Sequence, residues 1–181
     1  MVGLLMKTSV LIGSLQSLVL LLALTSVGHA DVVAENKFKM ALIFNFARYS
    51  EWPESTSQQV MHFCVLGDKA LLAELEKLSG RKIKQRVIEV HEVGAEGSMG
   101  DCELLVLGGK DRKRIALALA AVKNEPTLTV GELPDFIDGG GMINLYRENG
   151  RVRFEINPYE AQRSGLLISA RLLQLAKIVG E

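Results

Sequence analysis

Apolar residues recur along this chain at two spacings, and the switches between them mark its elements. The first feature has no period. Val10 to Leu24 is an almost unbroken apolar run without a charge, with Lys7 before it and Gly28-His29-Ala30 between it and Asp31. A positive start, a short apolar core and small residues at the cleavage positions predict a secretory signal peptide over residues 1–30, cut after Ala30. The core is shorter than the roughly 20 residues a spanning helix needs. No cysteine follows it to carry a lipid anchor.

From Ala34 to Tyr49 the period is helical, with Phe38, Ala41, Leu42, Phe46 and Tyr49 on one face. Trp52-Pro53 should end this helix, because a residue before proline is pushed out of the helical region. Val60 to Leu66 reads as a strand. Asp68 can then cap a helix from Lys69 to Leu78, closed by Gly80. Val87 to His91 alternates and is rich in β-branched residues, a second strand. Leu104 to Leu107 is wholly apolar, a strand buried on both faces. Arg112 to Val122 is a helix, and Thr127 to Val130 a further strand. This alternation predicts an α/β fold: a single compact domain with a mixed, partly parallel sheet and flanking helices.

The pattern changes near the end. Met142 to Arg147 and Arg151 to Ile156 flank Glu148-Asn149-Gly150, a hairpin signal. Asn157 is a good N-cap, Pro158 suits the first helical position, and Glu160 sits where a capping box places an acid. A long helix is expected from there to about Ile178. Its polar face is narrow (Arg163, Arg171, Gln174, Lys177), and Leu166, Leu167, Ile168, Leu172, Leu173, Leu175 and Ile178 cover much of the rest. So wide an apolar stripe suits either a deeply packed helix or an interface helix.

Removing the leader leaves residues 31–181, about 151 residues and one domain by length. Its formal charge is about −1, which argues against a general nucleic-acid binder. Two cysteines remain, Cys64 and Cys102. In an exported chain an even count favours a disulfide over two buried thiols. No Cys/His spacing suits zinc.

Recognisable catalytic patterns are missing from the chain. His62 and His91 both fall in predicted strands, beside no obvious acid or nucleophile motif. Neither a nucleophile elbow nor a His-Glu-x-x-His pair occurs. Gly108-Gly109-Lys110-Asp111 follows a strand and precedes a helix but lacks the spacing and hydroxyl of a phosphate loop, so it reads as a tight turn. Gly139-Gly140-Gly141 reads as a turn feeding the hairpin. Two basic clusters, Arg81/Lys82/Lys84/Arg86 and Lys110/Arg112/Lys113/Arg114, read as solvated charges guarding a strand edge and a helix end. Asp101, Glu103 and Asp111 are scattered acids. No catalytic residue, cofactor or metal is assigned. The residues alone point to a binding or regulatory protein, with a hydrolase of unrecognised residues as a remote third reading.

Several segments together carry a resemblance. Lys39 to Tyr49 followed by Glu51-Trp52-Pro53 resembles the opening signature of the YfiR family. Cys64-Val65-Leu66-Gly67 is similar to that family's first strand and turn, Cys102-Glu103-Leu104-Leu105 to its Cys-led strand, and Thr127-Leu128-Thr129-Val130 to the next. Gly140-Gly141-Met142-Ile143, Arg153-Phe154-Glu155-Ile156-Asn157 and Gly165 to Leu173 complete the match in order.

The resemblance implies a compact periplasmic α/β repressor, often a dimer and supported by disulfides. Such a repressor restrains a diguanylate cyclase of the inner membrane by acting on that enzyme's periplasmic part. An outer-membrane lipoprotein can sequester it, whereupon cyclic di-GMP rises and favours biofilm. Cys64 and Cys102 match one family disulfide. A second family cysteine pair near the terminal hairpin has no counterpart here, so redox control tied to that pair does not carry over. The family's domain also serves as a sensory module ahead of kinases and cyclases, which keeps a small-ligand-binding module as the alternative. Trp52 and Phe154 are expected to anchor core packing, and Glu155 and Asn157 to order the start of the last helix. Exposed apolar residues of the first and last helices are the candidates for partner or dimer contact.

Overall fold

A computed structural model describes residues 27–53, 59–94 and 99–180. The predicted signal peptide lies outside these residues, apart from the helical backbone of Val27–Ala30. Helix α1 spans Val27–Arg48, and the compact body of the protein begins within it at Asn36.

Strands β1 (Ser50–Glu51), β2 (Val60–Leu66), β3 (Lys82–Ile83), β4 (Arg86–Glu92), β5 (Leu104–Leu107), β6 (Leu128–Gly131), β7 (Ile143–Glu148), β8 (Arg151–Ile156), β9 (Leu167–Ile168) and β10 (Lys177–Ile178) follow. Interleaved are α2 (Lys69–Leu75), extended by a 3-10 turn Glu76–Leu78, then α3 (Arg112–Ala121), α4 (Pro158–Arg163) and α5 (Ala170–Leu173). Eight strands form one sheet in the order β10-β8-β7-β6-β5-β2-β4-β3. β4, β2, β5, β6 and β7 run parallel, β3 runs against β4 and β8 against β7, and β10 runs parallel to β8. β1 and β9 pair separately.

The period of two along the strands sorts side chains into two layers. Phe63, Val65, Leu104, Val106, Leu128 and Val130 share one core with Ile43, Phe46 and Ala47 of α1 and Leu71, Leu72 and Leu75 of α2. Cys64, Leu66, Leu105 and Leu107 face the other way, against Ile115, Ala118 and Leu119 of α3 and Phe136. All four residues of β5 are buried, as an unbroken apolar run between two helical layers requires. Asp68 and Asp111 cap α2 and α3 by accepting the N–H groups of Leu71 and Arg114. The hairpin turns at Asn149 and Gly150, both at positive φ, as a two-residue turn of this type demands.

Three expectations need correction. The helix expected over Ala34 to Tyr49 begins by Val27 and ends at Arg48, before Trp52-Pro53, because Ser50 and Glu51 leave it to pair with β9. Its inward face is also rotated. Phe38 is half exposed, whereas Asn36, Lys39, Ile43, Phe46 and Ala47 point inward, and the buried Lys39 ammonium meets Glu132 at 2.7 Å.

The long terminal helix does not form. α4 stops at Arg163, where Gly165 takes φ +78°. Leu166 N–H then bonds Ala161 O and Gly165 N–H bonds Gln162 O, the paired closure of a glycine C-cap. The chain next forms β9 and the short α5, capped by Ser169, and β10 adds to the sheet edge beside β8. Its apolar residues divide accordingly: Leu166 and Leu172 are buried, while Leu167, Leu175 and Ile178 are exposed.

Candidate functional site

β2 and β5 are neighbours in the sheet, and a disulfide joins Cys64 within β2 to Cys102 just ahead of β5, with a Cα–Cα distance of 5.8 Å. The next residue, Glu103, is buried. Its carboxylate accepts the Arg86 guanidinium and, at 2.7 Å, the backbone N–H of His62. Arg86 also donates to Val60 O at 2.6 Å. The Glu103 carbonyl accepts the Trp52 indole N–H at 3.3 Å and the Leu128 N–H at 2.8 Å. One acid thus ties together β2, β4, β5, β6 and the Trp52-Pro53 turn. From sequence it looked like one of three scattered acids.

Trp52 and Phe154 both pack, half buried, against the main core, and the Phe154 ring lies 5.0 Å from that of Phe46. Asn157 accepts the Glu160 N–H at 3.1 Å, the expected cap of α4. Glu155 does something else. On β8 it accepts Asn144 Nδ2 at 3.0 Å and Lys177 Nζ at 3.1 Å, fastening β7 and β10 to β8. Its hydrogen bond and charge push the Lys177 pKa up from the ordinary 10.5.

Half of the residues in the two basic clusters are engaged by other side chains. Arg86 turns inward to Glu103, Arg81 lies 4.6 Å over the Phe44 ring, and Lys84 pairs with Glu51. Arg112 pairs with Asp135. The Gly108-Gly109 turn is filled by the chain itself, because a Cβ at Gly108 would lie 2.5 Å from that of Asp68. That contact spans the ends of β2 and β5, where strand order reverses and open α/β sheets usually hold ligands. A cleft of about 450 Å3 opens elsewhere, between α3, the loop before β7 and α4, with Leu119, Lys123, Asp138, Asn157, Glu160 and Arg163 on its wall.

His62 and His91 come together on the face that carries the cystine. β2 and β4 pair in parallel with His62 opposite Glu89 and Cys64 opposite His91. His62 Nδ1 lies 3.1 Å from His91 Nε2, which lies 3.7 Å from Glu89 Oε2. Their 29-residue separation in sequence conceals this pairing, which only the β2/β4 register creates.

The sequence matches the profile of the YfiR/HmsC-like family over residues 36–177. The chain belongs to this family. Membership supports a periplasmic regulatory role in general. Among solved structures the chain is similar to the ABC domain in complex with L-Trp from Streptococcus pneumonia, with 10% identity and a TM-score of 0.47 over 66% of this chain. It spans 55% of the length of that structure. In this YfiR/HmsC-like domain the segments of the opening resemblance fall on α1, β2, β5, β6, the hairpin and the α4–α5 turn, inside the body of the fold. Exposed apolar side chains on that body include Phe38, Tyr159, Leu167, Leu175 and Ile178. Among the described residues no helix is long and apolar enough to cross a membrane.

Proposed function

We propose that this protein is a non-enzymatic periplasmic repressor that binds the periplasmic part of an inner-membrane diguanylate cyclase, or a related signalling enzyme, and holds down cyclic di-GMP and biofilm formation. The carrying observation is the family match across residues 36–177, nearly the whole compact body. Delivery fits the sequence: residues 1–30 act as a leader removed after Ala30, leaving a 31–181 domain. An outer-membrane lipoprotein is the class of partner that would sequester it.

The C-terminal segment supports a role in contact. It leaves Leu167 on β9, Leu175 in the turn after α5 and Ile178 on the edge strand β10 outward, where a partner or a second copy could cover them. Trp52, Phe154 and Asn157 are structural supports in this reading, since each is engaged within the fold. A co-purification tests it. The tagged protein should recover the periplasmic part of a membrane cyclase, and Leu175→Glu should lose it while keeping the melting temperature. Failure to recover any membrane signalling protein contradicts the proposal.

The cleft beside Asn157 and Arg163 favours one second reading, a small-ligand sensory module, since its volume falls in the range of ligand pockets. A thermal-shift screen separates the two, because a ligand bound only by the folded state must raise apparent stability.

A further inference from the structure

We propose that His62, His91 and Glu89 form a binding site for a divalent transition-metal cation, with Zn2+ the ion its donors suit. The three offer two imidazole nitrogens and a carboxylate oxygen, all within 4.8 Å of one another. This donor set matches late first-row divalent ions rather than Mg2+ or Ca2+, which take oxygen ligands. The spacing also fits. With metal–nitrogen bonds of about 2.0–2.1 Å, a tetrahedron has edges of roughly 3.3–3.4 Å. The His62 Nδ1 to His91 Nε2 distance is 3.1 Å and the His91 Nε2 to Glu89 Oε2 distance 3.7 Å, on either side of that edge. The third pair, His62 with Glu89, lies within 4.8 Å, so an ion is held once the exposed Glu89 carboxylate swings toward the two rings, with one position left open for water.

The platform beneath is held in place. His62 is fastened through its backbone N–H to the buried Glu103 carboxylate. Cys64, two residues along the same strand face and opposite His91 in register, is locked to Cys102. The ligands thus sit on adjacent hydrogen-bonded strands, β2 and β4, which Glu103 bridges through His62 N–H and Arg86, while the cystine fixes β2 to the start of β5. A site on rigid elements spends little ordering entropy when it binds. The alternative explanation of the 3.1 Å separation is a plain hydrogen bond between the two rings, which predicts no metal affinity.

The site stands independently of the cyclase reading and is tested on the isolated protein. The untagged chain is purified from the periplasm, stripped with a chelator, and titrated with ZnCl2 by calorimetry and thermal unfolding. One Zn2+ should bind per chain with micromolar affinity, raising the melting temperature with metal concentration. Excess Mg2+ should not compete. His91→Gln and Glu89→Gln should each weaken binding at least about tenfold. Because both side chains are exposed, the metal-free variants should melt with the wild type. No saturable binding up to about 100 μM Zn2+ (a Kd far weaker than micromolar), or equal affinity in His91→Gln, overturns the proposal. So does displacement of Zn2+ by Mg2+.

Discussion

Glu103 shows how one side chain can organise several strands. Its charge is buried beside that of Arg86, and such a pair adds little net stability while both partners remain. Removing one charge is different, because the other stays desolvated without a counter-charge. Glu103→Gln should therefore cost about 3 kcal/mol in urea unfolding. Lys177 and Glu155 make the contrasting case, since Lys177 is exposed. Glu155 raises the Lys177 pKa above 10.5, so the pair's contribution is complete below about pH 10.5 and fades as pH rises through the folded-state value. Lys177→Ala should make that alkaline limb of the stability curve shallower. The sequence displayed the caps Asp68 and Asn157 because a cap is read within four residues, whereas Asp111, grouped there with the scattered acids, proves to cap α3. It hid Glu103 and the His62–His91–Glu89 group because their partners lie on other strands, and only the β2/β4 and β2/β5 registers bring them together.

Gly165 decides the shape of the C-terminal segment. In a continuous helix, Gly→Ala would stabilise by about 1 kcal/mol. Here the residue sits at φ +78°, and a Cβ would meet Pro53 Cγ at 3.2 Å. Gly165→Ala should instead destabilise by about 1–2 kcal/mol in chemical denaturation, and the sign alone separates the two structures. The longer strands were legible because alternation or an unbroken apolar run marks them, so that β2, β5 and β8 occupy the expected residues, whereas the two-residue strands β1, β3, β9 and β10 are too short to leave such a pattern. The broken helix was not, because the leucines from Leu166 to Leu175 mimic a helical stripe while belonging to β9, α5 and the turns beside them, with different neighbours. The cystine links β2 to the start of β5 across a sequence separation of 38. Its reduction should lower stability by about 4 kcal/mol through the freed loop entropy of the unfolded chain, measured as a drop in the denaturation midpoint with reductant.

The body from Asn36 onward is a sheet covered on both faces, with Arg86 and Lys39 paired inside it and exposed apolar residues on its first helix and its C-terminal segment. Such a body suits holding a surface steady for another protein. The α/β class was legible from the alternation of elements, and the family from segments spread over that body. The identity of the partner is written in neither pattern, since an interface is completed by a second sequence. Cyclic di-GMP in cells lacking this protein, compared with their complemented parent, puts the proposed repression to the test. Repression of a cyclase predicts a rise in the deletion strain that complementation reverses. An unchanged or lower level would contradict it.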